Sequence, residues 1–164
     1  MNETMDQQLT LLEAEAVDVI KEFKELERKH EILTSVPGIS QVTAGVLLGQ
    51  LPELGAISRQ SIASAAGLAP SRGDSGTVSG QRQSRGGRSQ VRTALYMATL
   101  VAVRSNPPIK AAFQRFTEAG KTPKVAIAAC MRKLLVIVNA LVRDNRLWGE
   151  KGASREADDE SAES

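Results

Sequence analysis

Cysteine and histidine occur once each, at Cys130 and His30. One cysteine excludes an internal disulfide and fits a reducing compartment, and one histidine excludes a multi-histidine metal site within the chain. Aromatic residues make up 3% of the sequence, so a core must be built from Ala, Leu, Val and Ile, which suits closely packed helices. Apolar runs such as Leu134–Val138 are far shorter than the roughly 20 residues that span a bilayer. No basic start followed by an apolar stretch opens the chain, so no signal peptide is expected. These absences predict a cytoplasmic protein without a membrane partner. Acids are scarce where bases are plentiful. Residues 32–149 hold four acids and 15 bases, residues 1–31 nine acids and four bases, and residues 150–164 six acids and two bases. The formal net charge of +2 therefore hides a strongly basic middle, a field that favours a polyanion, nucleic acid first.

What is present centres on AGLAPSRGDSGTVSGQRQSRGGRSQVRTALY, residues 66–96. Its first half is rich in Gly, Ser and Pro and carries hydroxyls at Ser71, Ser75, Thr77, Ser79 and Ser84. Its second half carries Arg82, Arg85, Arg88 and Arg92 before an apolar helix. Glycine lets a backbone approach a ligand closely, and guanidinium forks fit phosphate oxygens. Small nucleophiles beside clustered arginines, with one acid at Asp74, suit a site built around a phosphate backbone. By composition alone the same stretch also reads as a flexible, solvated loop.

Three segments are expected: an amphipathic helix over 1–31, a mostly helical domain over 32–148, and an acidic, disordered tail over 149–164. From Leu9 to Leu33 the apolar positions step by three and four through Leu12, Ala16, Val19, Phe23, Leu26 and His30, the spacing of a coiled-coil-like helix. Periodicity leaves open whether that stripe joins a second copy or partner helix, or packs on its own domain. His30 reads as a partly buried packing residue. Pro37-Gly38 then makes a tight turn before an Ala/Gly-rich helix from about Ser40, and Ser58 caps a short helix ending at Gly67. This arrangement resembles a helix-hairpin-helix module, whose Pro-Gly turn offers backbone N–H groups to phosphates; Pro37, Gly38 and Ser40 are its candidate DNA contacts, and a plain helical turn is the alternative. Beyond the Gly/Ser/Arg loop, helices are expected from about Ser89 to Arg104, from Pro108 to Glu118 with Phe113 and Phe116 inward, and from Lys124 to Asp144, with Trp148 docked at the end.

The order AAGLAPSRGDSG, QRQSRGGRSQVRTALYMATLVAVRSNP, then FQRFTEAGKTPKVAIAACMRKLLVIVNALVRD resembles the C-terminal domain of the serine-dependent DEDD insertion-sequence transposases, the bridge-RNA-guided recombinases, over about residues 32–148. The resemblance implies that a serine in the Ser-Gly pair after Gly-Leu-x-Pro attacks a DNA phosphodiester. Gly67-Leu68-Ala69-Pro70 leads to Ser75-Gly76, so Ser75 is the candidate nucleophile. The family's basic-Gly segment falls on Arg85, Gly87 and Arg92, with Arg88 in place of a usual Asn and Ser71 in place of a common Arg. Arg72, Arg82, Arg85, Arg88 and Arg92 are the candidate DNA-binding arginines, and a guide RNA is a second partner that the family implies. In the family, four acids of a RuvC-like domain hold Mg²⁺ and complete the site. No counterpart of that domain stands in these residues, so no cofactor is expected here. Nor does the loop offer a His, Lys or paired acids to activate a serine. The chain thus reads as the serine half of a split site, truncated and inactive without its RuvC-like partner. A non-catalytic nucleic-acid clamp is the rival from another class, and a protein-interaction fragment built on the first helix is the third.

Overall fold

A computed structural model of the chain describes residues 2–68 and 87–150. The described residues form α1 (Asn2–Ser35), α2 (Gln41–Gln50), α3 (Arg59–Ala65), α4 (Gly87–Ser105), α5 (Pro107–Glu118) and α6 (Pro123–Asp144), with no strand among them. Short polar residues start four of these helices. Ser40, Ser58, Asn106 and Thr122 accept hydrogen bonds from the backbone N–H of Thr43, Ser61, Ile109 and Val125, donors that a helix start leaves without a partner. Proline in the first turn of α5 and α6 presets φ where no N–H is needed. Glycine stops two of them. Leu68 N–H donates to Ala63 O and Gly67 N–H to Ser64 O around a Gly67 φ of 75°, the Schellman pattern. Gly120 ends α5 in the same way, with Lys121 bonded to Phe116 O and Gly120 to Thr117 O.

α6 is the axis of the bundle. It packs against α1, α3, α4 and α5, and Leu134, Leu135, Val138 and Leu141 on it are almost fully buried. By length and composition α6 could cross a membrane, which the short apolar runs did not suggest, yet 67% of its most apolar window is buried inside the bundle. Its apolar faces are those of a core helix. Cys130 lies in this core with its thiol directed at Ile109 O, and burial pushes the thiol pKa up, which keeps it protonated and unreactive. Asn139, buried in the same helix, accepts from Gly55 N–H at 2.7 Å and donates to Ile57 O at 3.1 Å. One amide thus satisfies two backbone groups of the α2–α3 connection, and Gly55 lies so close to Val142 that any Cβ there would collide.

The first helix is half scaffold and half projection. Ile32, Leu33 and Val36 enter the core, Trp148 N–H donates to Ser35 Oγ, and His30 is partly buried. By contrast Leu9, Leu12, Val19, Phe23 and Leu26 are all exposed. Packing of the whole stripe on its own domain, one of the two expectations for this helix, therefore stops at its C-terminal end. α4 likewise leaves large apolar side chains outside. Its sequence is apolar through Met97, Leu100 and Val101, yet these three and Tyr96 face outward while Val91, Leu95, Ala98 and Ala102 face the core. The reason is steric: the small side chains at 98 and 102 let α4 close against the turn between α1 and α2.

Candidate nucleic-acid interface

Gly38 explains that closeness. Its φ of 106° lies in the region glycine favours, and a Cβ there would meet Ala102 Cβ at 2.8 Å and Ala98 O at 2.9 Å. Pro37 O accepts from Asn106 Nδ2 at 3.2 Å, and Asn106 is itself buried while capping α5. The Pro37-Gly38 turn is thus locked between the two ends of the α4–α5 corner. Ser40 is exposed, but its Oγ already accepts from Thr43 N–H and donates to Thr43 Oγ1. What the turn presents outward is the first turn of α2, at Gln41 and at Val42, which is 76% exposed.

The arginine side of the site is rooted elsewhere. Gln50 at the end of α2 hydrogen-bonds Gln90 near the start of α4, while Gly38 before α2 meets Ala98 and Ala102 near the end of α4, so the two helices run antiparallel. Arg92 therefore sits about 9–15 Å along α4 from the Pro37-Gly38 contact, at 1.5 Å per residue. Its Nη1 lies 2.7 Å from where a Cβ on Gly67 would be. The guanidinium covers the glycine that closes α3. Two elements thereby meet at the roots of the 69–86 segment: the Schellman stop where the chain enters it and the first turns of α4 where it leaves. Of the sequence-derived candidates, Pro37, Gly38 and Ser40 come together at one end of the α2–α4 pair and Arg92 stands at the other. Ser75, Arg72, Arg82 and Arg85 lie outside the described residues, as does the Arg88 side chain, whose backbone belongs to the first turn of α4. The tie between Arg92 and Gly67 escaped sequence reasoning; the only clue was a glycine and an arginine flanking one loop.

Among the described residues no three His, Cys, Asp or Glu side chains converge in a way that could hold a metal ion. They therefore do not fit a Mg²⁺ site.

Comparison with known proteins places these features in one frame. The family model described as Transposase IS116/IS110/IS902 family matches residues 30–114. That span opens at His30, where α1 begins to enter the core, and contains the Pro37-Gly38 turn, the whole Gly/Ser/Arg segment and α4. The pilin gene-inverting protein of Moraxella bovis is 34% identical over 147 residues, covering 87% of this chain and 46% of that protein. The 42 kDa protein of insertion element IS900 from Mycobacterium paratuberculosis is 31% identical over 146 residues, 84% of this chain and 36% of its own. The 43.6 kDa protein of insertion element IS110 from Streptomyces coelicolor is 30% identical over 119 residues, 71% of this chain and 29% of its own. The chain spans less than half the length of these relatives.

Proposed function

Because this chain belongs to the IS116/IS110/IS902 transposase family, we propose that it is the DNA-binding domain of a transposase or recombinase that supplies Ser75 as nucleophile. The observation that carries this reading is the family match itself, which encloses in one span the turn at Pro37-Gly38 and the Gly/Ser/Arg segment. The relatives' names speak of gene inversion and insertion elements, both rearrangements of DNA. In the reaction, Ser75 Oγ forms a bond to a DNA phosphorus, the bond from that phosphorus to one strand end breaks, and that end leaves as a hydroxyl. Arg82, Arg85 and Arg88 hold the phosphate and stabilise charge that develops on it. Activation of the serine would need a base or metal, which the acids of a RuvC-like domain would supply; a guide RNA is the further partner of this reading. The helix-hairpin-helix reading places the DNA backbone against the first turn of α2, where N–H groups point outward.

The basic middle of the chain predicts DNA binding of low sequence specificity that weakens steeply with salt. Replacing Arg82, Arg85 and Arg88 together by Gln should flatten the slope of log affinity against log salt by about two to three, because each phosphate contact contributes about 0.9. Fluorescence anisotropy with a labelled duplex checks it, and an unchanged slope would remove these arginines from the interface.

The exposed stripe on α1 supports the other half of the reading, in which Leu12, Val19, Phe23 and Leu26 pair with the same helix of a second copy. Sedimentation should show a dimer for the intact chain and a monomer for a version starting at Glu31. Monomers in both cases would remove this pairing.

A further inference from the structure

All four bases of residues 1–31, namely Lys21, Lys24, Arg28 and Lys29, line one groove between α1 and the C-terminal end of α6. The groove has a volume of about 670 Å³. Its floor is apolar, with Ile20 and Ile32 from one helix and Val142 from the other. Glu25 also reaches it. Arg28 is held in place there: its Nε donates to Asn145 Oδ1 at 2.9 Å, and its Nη1 stands 3.3 Å from Glu31. Lys21, Lys24 and Lys29 have no ion-pair partner among the described residues. At 100° per residue Lys21 and Lys24 lie on the far side of α1 from the stripe through Leu12, Val19, Phe23 and Leu26, while Lys29 flanks it, so Lys21 and Lys24 stay accessible when that stripe is paired. A helix with nine acids in its first 31 residues has thus gathered every base it owns on one face.

We propose that this groove is the docking site of the chain's own C-terminal segment, whose carboxylates at Glu156, Asp158, Asp159, Glu160 and Glu163 pair with Lys21, Lys24, Arg28 and Lys29. Charge favours it: residues 156–164 carry five acids and no base. Reach permits it. Trp148 is tied to Ser35, from which the groove lysines stand about 9–21 Å back along α1 at 1.5 Å per residue. The 13 residues from Lys151 to Glu163 extend to as much as about 45 Å. The segment carries small alanines at 153, 157 and 162 between its charges, which can approach the apolar floor of Ile20, Ile32 and Val142. Occupied in this way, the groove offers no free cations to nucleic acid. DNA is steered instead to the basic span of residues 32–149, because α1 and the tail together keep the net negative charge that repels it.

The test uses the full chain with a nitroxide on Ser161→Cys; Cys130 is buried and stays unlabelled. Amide signals of Lys21, Lys24 and Arg28 in a ¹⁵N-labelled sample should lose more than half their intensity at 50 mM salt. They should recover at 0.5 M salt, where screening is much shorter-ranged. Lys21→Gln, Lys24→Gln and Lys29→Gln together should abolish the loss while core signals such as Leu134 and Leu141 stay unshifted. Three outcomes would overturn the proposal. Broadening could fall on residues 82–92 instead, which would place the tail on the arginine segment. It could appear only when ¹⁴N nitroxide-bearing and ¹⁵N unlabelled chains are mixed, which would make the tail a second copy's. Or it could be absent while an added DNA duplex shifts Lys21, Lys24 and Lys29, which would make the groove a nucleic-acid site.

Discussion

Gly38→Ala should lower the melting temperature by about 10 °C and Gly45→Ala should raise it by about 2 °C, although both add one methyl to a glycine. The difference lies in what the methyl meets. At Gly38 it enters a backbone with φ of 106° and approaches Ala102 Cβ at 2.8 Å and Ala98 O at 2.9 Å. The left-handed conformation costs about 1–2 kcal/mol for a non-glycine residue, and overpacking adds about 1–3 kcal/mol. A domain of this size loses about 2–4 °C per kcal/mol. At Gly45, inside α2, nothing lies within 4 Å of the added methyl, so what remains is the gain of about 0.5–1 kcal/mol from alanine's helix propensity. Thermal denaturation followed by circular dichroism at 222 nm reads both. If Gly38→Ala melted with the parent chain yet lost DNA affinity, the glycine would serve the DNA contact rather than the packing of α4.

The position of Gly38 also shows how far the sequence could be read. A Pro-Gly pair between helices announced a turn, and Ser40 and Ser58 announced the helix starts that follow, because each of these signals acts within a few residues. Pro123 and Gly67 worked in the same local way. The faces of the helices were a different matter. Periodicity states that α1 and α4 have apolar sides but not what covers them, and Met97, Leu100 and Val101 proved exposed because Ala98 and Ala102 permit the closer approach. A helix interface selected for small side chains looks weaker in sequence than an exposed stripe of large ones. Asn139 was hidden for a related reason. In an apolar helix it resembles a flaw, and its worth depends on Gly55 and Ile57, which lie more than 80 residues away in the chain. The four bases of α1 stand among nine acids in the sequence, and only their shared groove with Val142 and Asn145 gives them a common role.

The candidate site divides along similar lines. The Gly/Ser/Arg composition and the order of its motifs were legible without coordinates, since both are properties of the string. The placement of Arg92 over Gly67 was not, because it depends on how the end of α3 and the start of α4 close upon each other. That closure matters for the proposed chemistry. Arg92 and Gly67 stand where the chain leaves and enters residues 69–86, and positioning is a large part of what a phosphoryl-transfer site provides.

The most direct measurement is a search for a covalent link between the chain and DNA. Alone, the chain should bind a labelled duplex and leave it intact. With a RuvC-like domain of the family added in trans, together with Mg²⁺ and the guide RNA that domain uses, a denaturing gel should show a shifted protein–DNA species. Mass spectrometry should place the nucleotide on Ser75. Ser75→Ala should remove that species entirely while changing DNA affinity less than about twofold, because one lost hydroxyl weighs little against several arginine–phosphate contacts. Ser71→Ala and Ser79→Ala should leave it largely in place. An adduct on Ser71, Ser79 or Ser84 would contradict the assignment of the nucleophile. No adduct at all, under conditions where a full-length relative forms one, would contradict the catalytic role and leave the chain a nucleic-acid clamp.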